Sequence, residues 1–266
     1  MNDKGRGISG FTLKMVAVVS MFTDHLAATI LERILILAGT DTQSYPLVSD
    51  HWQGFYNLYL VMRGVGRLAF PIYCFLIVEG FLHTRSVAKY AARLFVFALL
   101  SEVPFDLAFQ KSFWDLSYNN VFLTLFLGLL VLWGYDFIDK KIVAAREDGS
   151  VSVGKLLLRS LLDLILLLAG AFVAEYVLKC DYGAAGIFVI VALYLLRNHP
   201  KTAFVVAVAV LTVLSSELEL VAILDVPLIA FYSGARGRQA KYFFYAFYPV
   251  HLLLLSGICW LLGLGI

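Results

Sequence analysis

Apolar residues run along this chain in stretches of roughly twenty, interrupted by short clusters of charge, proline or glycine, and no segment alternates apolar with polar positions. A stretch of about 20 apolar residues suits a helix that crosses roughly 30 Å of hydrocarbon. The missing alternation disfavours an outer-membrane barrel. Nine spans are predicted, at 12–38, 56–82, 91–109, 119–138, 156–178, 184–197, 202–216, 219–233 and 242–264. The first four and the last are sharply bounded; the three between 184 and 233 are short enough to be tilted, re-entrant or wrongly divided.

Composition points the same way. Of 266 residues, 61% are hydrophobic and 15% charged, against about 25% charged in an average soluble chain. The expectation is an all-α, polytopic helical membrane protein, one transmembrane domain over 1–266 with no extramembrane domain. The start of the chain could pass for a signal peptide, but Asp24-His25 interrupts its apolar run and no small-residue cleavage site follows, so it reads as an uncleaved first span. Most of the 21 basic residues, among them Lys4, Arg6, Lys14, Arg85, Lys89, Arg146 and Lys241, then fall on one side. That asymmetry predicts an inner N-terminus and an outer C-terminus, with 139–155 as the longest inner loop.

A net charge of +2, with no basic run longer than two, gives no nucleic-acid signature. Cys74, Cys180 and Cys259 are too scattered for a disulfide framework or a metal site. No internal repeat is evident, which weakens an inverted-repeat transporter. Glycine loops for phosphate, paired metal histidines and nucleophile elbows are also missing from the sequence.

A charge at mid-bilayer costs at least about 2.5–3.5 kcal/mol, so each one needs a partner, a wet cavity or a chemical role. Five predicted spans place ionisable groups near that depth: Asp24 and His25, Arg67, Glu102, Asp225 and His251. Lys14 and His25 stand eleven positions apart; at about 100° per residue this is three turns plus roughly 20°, one helix face about 16 Å long. A cation at the interface with an imidazole deep below it suits an elongated anionic ligand. The competing reading is a snorkelling anchor at Lys14 and a satisfied core histidine at His25. Neutral imidazole is a natural general base near pH 7. Asp24 either fixes its tautomer or, pointing about 100° away, serves a neighbouring helix.

Arg63 and Arg67 share a helix face and suit two phosphates or two carboxylates. Pro71 removes a donor from the carbonyl of Arg67, and with Gly64 and Gly66 this predicts a broken helix beside a cavity or buried partner. The competing reading pairs the arginines with Glu79, Glu102, Asp106 or Asp225. Glu102 and Asp106 flank Pro104 on one face of a kinked helix, Asn119-Asn120 read as a helix cap, and Asp181-Tyr182-Gly183 as a turn. His251, behind Tyr248-Pro249, either orients a substrate or packs.

Six blocks carry a resemblance: LKMVAVVSMFTDH (13–25), RGVGRLAFPIYCFLIVEGFLHTR (63–85), RLFVFALLSEVPFDLAF (93–109), NNVFLTLFLG (119–128), DYGAAGI (181–187) and KYFFYAFYPVHL (241–252). In these the chain resembles the TraX family of integral-membrane proteins, named for a conjugative-pilin N-acetylase and related to a broader superfamily of bacterial membrane acyltransferases. The resemblance implies a multi-pass protein of the inner membrane that uses acetyl-CoA as donor. Its acceptor would be a peptide amine such as a pilin N-terminus, or a sugar or other envelope hydroxyl. The wider group carries a basic residue about ten positions ahead of a histidine in the first span, which Lys14 and His25 match, and a close arginine pair, for which Arg63 and Arg67 are a looser match. On this reading His25 is the general base and Asp24, Arg67, His251 and Glu102 complete the catalytic set, with Arg67 or the backbone near Pro71 facing the oxyanion. Lys14, Arg63, Arg67, Glu79, His83, Arg85 and Lys89 are the candidates for holding acetyl-CoA. Neither metal nor nucleic acid enters the scheme. The rival from another class is a proton-coupled secondary transporter that relays protons through the same carboxylates and histidines.

Overall fold

The computed structural model describes residues 7–143 and 152–265; Lys4, Arg6, Arg146 and the middle of the predicted inner loop lie outside the described residues. Among those described, the architecture is all-helical and contains no sheet. Two isolated bridges, Ile8 with Tyr232 and Asn119 with Cys180, are its β pairings.

Five helices are long and apolar enough to cross a membrane. They are α1 (Gly10–Thr40), the segment Trp52–His83 formed by α3 (Trp52–Gly66) and α4 (Ala69–His83), α6 (Val121–Val143), α7 (Val153–Val177) and α11 (Lys241–Leu261). A short α2 (Pro46–Asp50) joins the first two. These five match the predicted spans at 12–38, 56–82, 119–138, 156–178 and 242–264.

The other four predicted spans are corrected. The stretch 91–109 falls in α5 (Val87–Phe105) and a π-helical turn, Asp106–Gln110; this is long enough, but Lys89, Arg93, Glu102 and Asp106 make it too polar. Helices α8 (Gly183–Leu195) and α9 (Pro200–Leu214) have 13 and 15 residues, about 20 and 22 Å at 1.5 Å per residue, well short of the hydrocarbon thickness. The stretch 219–233 is a 3-10 helix, Glu217–Asp225, followed by the five-residue α10 (Val226–Ala230), with Pro227 in its first turn. Apolar composition produced these spans; polarity removes 91–109, and helix length removes the three after 184. Five spans replace nine, and the inner-N, outer-C orientation loses the alternation through nine crossings on which it rested.

The chain forms two compact units. The first comprises Met1–Tyr73, Leu99–Asp115 and Ser216–Ile266; the second comprises Cys74–Ala98 and Leu116–Ser215. In the first, Ser9 caps α1 by accepting the Thr12 N–H at 3.2 Å, which satisfies one of the donors a helix start leaves open. The N–H groups of Ile8, Gly10 and Phe11 bond the carbonyls of Phe231, Ala235 and Arg236, tying that start to the loop after α10. Helix α1 packs on α3 and α11 with Leu13 and Ala17 fully buried. Rings of α1 and α11 meet in matching order, Phe11 with Phe244 and Phe22 with Phe247, so the two helices run parallel.

In the second unit Leu129 and Leu132 of α6, Ile187 and Ile190 of α8, and Phe204 and Leu211 of α9 form a fully buried core. Asn120 caps α6 as expected, its Oδ1 accepting the Phe122 N–H at 3.0 Å, while its Nδ2 donates to Ala98. Helix α7 is different: only 6% of its apolar window is buried. Its leucines face outward, as a lipid-contacting helix requires. All three cysteines are buried and unbridged.

Candidate active site

The site is built in the first unit, where α1 stops being a regular helix. Residues Ala27–Leu31 form a π-helical turn directly after His25, and the buried Thr29 hydroxyl donates to the His25 carbonyl at 2.6 Å. Such turns widen a helix locally and are frequent at functional positions. Opposite, Pro249 sits within α11 and withholds an N–H from the ladder two residues before His251.

The two imidazoles meet. His25 Nδ1 lies 2.7 Å from His251 Nε2, and His251 Nδ1 lies 2.7 Å from the Phe247 carbonyl oxygen. A carbonyl can only accept, so His251 Nδ1 carries the hydrogen; in a neutral ring Nε2 is then an acceptor. His25 Nδ1 must therefore donate to it, which leaves the lone pair of neutral His25 on Nε2. Phe109, from the π turn after α5, and Tyr248 meet the His25 ring edge-on at 5.2 and 5.8 Å between centroids. These contacts fix the ring plane as the hydrogen bond fixes the tautomer.

Asp24 points elsewhere. Its Oδ2 accepts from Arg63 at 2.8 Å and its Oδ1 from Arg67 at 2.9 Å. Arg67 also donates to Glu219, on the 3-10 helix, at 3.0 Å, and its Nε donates to the Arg63 carbonyl at 3.2 Å. Two carboxylates and two guanidiniums close a neutral cluster joining α1, α3 and the 3-10 helix. Of the two roles the sequence allowed Asp24, the structure shows the second, a partner for neighbouring arginines. The ion pairs run from the arginines to Asp24 and Glu219, where spacing suggested Glu79, Glu102, Asp106 or Asp225. All three Arg67 nitrogens are engaged within the cluster, which leaves them poorly placed for an oxyanion or a phosphate.

The break between α3 and α4 falls at Arg67-Leu68, where N–H groups reach back to Gly64 and Val65 in tight i→i−3 bonds. Gly66 is dictated by packing, because a β-carbon there would overlap the Asp24 side chain.

Lys14 lies on the same helix as His25, and its ammonium sits 5.5 Å from the Phe244 ring centre, with Arg236 close enough to act on its charge. Both Lys14 and His25 thus face α11, as the helix-face arithmetic required. Glu102 is buried on α5. Asp225 is buried at the end of the 3-10 helix, and its Oδ2 has no hydrogen-bond partner among the described residues. Glu79, His83, Arg85 and Lys89 belong to the second unit. There His83 Nδ1 donates to the Glu79 carbonyl at 2.8 Å, an ordinary end-of-helix contact.

Sequence reasoning missed two residues. Glu219 escaped because it stands at the edge of a short apolar run, where a carboxylate reads as a loop residue. Arg33, in the second half of the first long helix, is buried at 5% exposure. It donates to the carbonyls of Ala108 at 2.7 Å, Leu107 at 3.5 Å and Gly265. Its depth within an otherwise apolar helix was the available signal. Among the described residues no three His, Cys, Asp or Glu side chains converge as a metal set.

Comparison with known proteins places this arrangement. The chain is 30% identical to a probable fimbrial assembly protein FimC, serogroup H1, of Dichelobacter nodosus, across 93% of this chain and 94% of that one. No solved structure matches it. The model of the family described as TraX protein matches residues 9–259, nearly the whole described chain. A multi-pass helical chain with that match is a bacterial membrane protein of the inner membrane, and it belongs to the TraX family.

Proposed function

We propose that this protein is an acetyl-CoA-dependent acyltransferase of the membrane, with His25 as its general base. The carrying observation is the chain from the Phe247 carbonyl through His251 to His25, which presents His25 Nε2 as the proton acceptor. An oriented imidazole of this kind contributes about 10²–10⁴-fold when it takes a proton in the transition state. His25 Nε2 would remove the proton of an amine or hydroxyl acceptor as that atom bonds to the thioester carbonyl carbon. The imidazolium so formed would return the proton to the departing CoA sulfur. His251 holds the Nδ1 side of the ring throughout, in the manner of the orienting member of a triad.

The chain's own residues fit an anionic donor. Lys14 has no carboxylate partner among the described residues, and the segment 226–241 holds Arg236, Arg238 and Lys241 and no acidic residue. Acetyl-CoA would supply an activated acyl group, its phosphates near these cations and its thioester toward His25 along the shared face of α1. The family's name and the fimbrial relative together favour a pilin-like peptide amine as acceptor, ahead of a sugar hydroxyl.

The test uses the full-length protein in its native membranes with radiolabelled acetyl-CoA. Once detergent has permeabilised those membranes and removed any ion gradient, label should still pass to envelope material, and His25→Ala should abolish that transfer while retaining acetyl-CoA binding. Transfer by a folded His25→Ala variant at the wild-type rate overturns the assignment. Gradient-dependent flux without label transfer would instead establish the transporter.

A further inference from the structure

The second unit contains a cavity of about 530 Å³ at the end of α7, with none of the candidate active-site residues in its lining. Its walls include Phe172, Tyr176, Tyr182 and the carboxylate of Glu175. Glu175 Oε2 accepts the Ala184 N–H at 3.0 Å, in the first turn of α8. No lysine, arginine or histidine among the described residues pairs with this carboxylate. Gly183 is required beside it, since φ there is +35° and a β-carbon would overlap the Glu175 side chain.

Position along the helix sets the depth of this cavity. Glu175 and Tyr176 lie at the last turn of a helix that spans 25 residues, where a crossing helix reaches the headgroup layer and tyrosines are enriched. From there the wall continues down α7 through Leu168, Ile165, Leu164 and Leu161, each about half exposed. An occupant of this site has a head in a pocket of carboxylate and aromatic rings and a tail along an open apolar face. Aromatic faces and an unneutralised carboxylate both select a cation.

We propose that this cavity is a binding site for a bilayer lipid with an ammonium headgroup, such as phosphatidylethanolamine. The ammonium meets Glu175 Oε1 and the rings of Phe172 and Tyr176, and an acyl chain lies against Leu168 and Leu164. This site is independent of the catalytic reading, because its occupancy is measured without any acyl donor.

The experiment reconstitutes the full-length protein in nanodiscs of equal phosphatidylethanolamine and phosphatidylglycerol, and counts retained lipids by native mass spectrometry. Wild type should retain phosphatidylethanolamine over phosphatidylglycerol by about fivefold or more, the order expected of one or two cation–π and charge contacts. Glu175→Gln keeps an acceptor for the Ala184 N–H, so it should fold and bring the ratio close to one. Tyr176→Leu, at a side chain 69% exposed, keeps apolar area and should lower the ratio severalfold. Equal retention of both lipids by wild type, a preference for phosphatidylglycerol, or an unchanged ratio in Glu175→Gln would each overturn the proposal.

Discussion

The imidazole pair makes His25 Nδ1 a donor and Nε2 an acceptor. On the proposed reading, His251 acts through the tautomer it sets on His25. His251→Leu, which cannot accept a hydrogen bond, should lower the rate of acetyl transfer by about ten- to a hundredfold. His251→Gln can accept through its amide oxygen and should recover a large part of that loss. Equal rates in the two variants would mean that His251 only fills space. The pair was half legible: both histidines stood out as ionisable residues in apolar runs, but a contact between residues 226 positions apart has no periodic signature. Asp24 shows the opposite limit. Its adjacency to His25 invited a catalytic pairing, while helix geometry turned it about 100° toward the arginines.

Helices pack here through a few close approaches, and these set testable costs. Gly66→Ala should force α3 from α1, because the added carbon overlaps Asp24; a destabilisation of about 1–3 kcal/mol is expected. Gly54→Ala, on the same helix with nothing within 4 Å of the added carbon, should be neutral or stabilising by up to about 1 kcal/mol. Thermal unfolding of both variants in detergent decides the matter, and equal shifts would sink the packing argument. Arg67→Gln should cost about 3–5 kcal/mol by stranding carboxylates at low exposure. Adding Glu219→Gln should recover part of that, whereas Glu102→Gln should not, and the reverse outcome would relocate the pair. The apolar runs revealed the five long helices to within a few residues, since hydropathy reports burial in lipid or protein directly. It could not divide 184–233, where helices of 13 and 15 residues have the same composition as a crossing helix. In that stretch length alone distinguishes the two.

Across the whole molecule, burial separates helices that hold the fold from those that face lipid. Leu129→Ala or Leu132→Ala in α6, both fully buried, should each cost about 2–5 kcal/mol. Leu161→Ala or Leu164→Ala in α7, both about half exposed, should stay within about 0.5 kcal/mol. Matching losses in the two sets, measured as melting temperatures, would show that α7 is covered by protein. The division into two units carries a consequence for biosynthesis. The first unit is assembled from three separate stretches, and its last begins at Ser216, after every residue of the second has been made. At ribosomal rates of about 5–20 residues per second, His25 is made roughly 11 to 45 seconds before its partner, 226 positions later. The nascent protein therefore holds the His25 imidazole without its acceptor until α11 is inserted, and the proton-accepting arrangement proposed for His25 can form only after that helix is made.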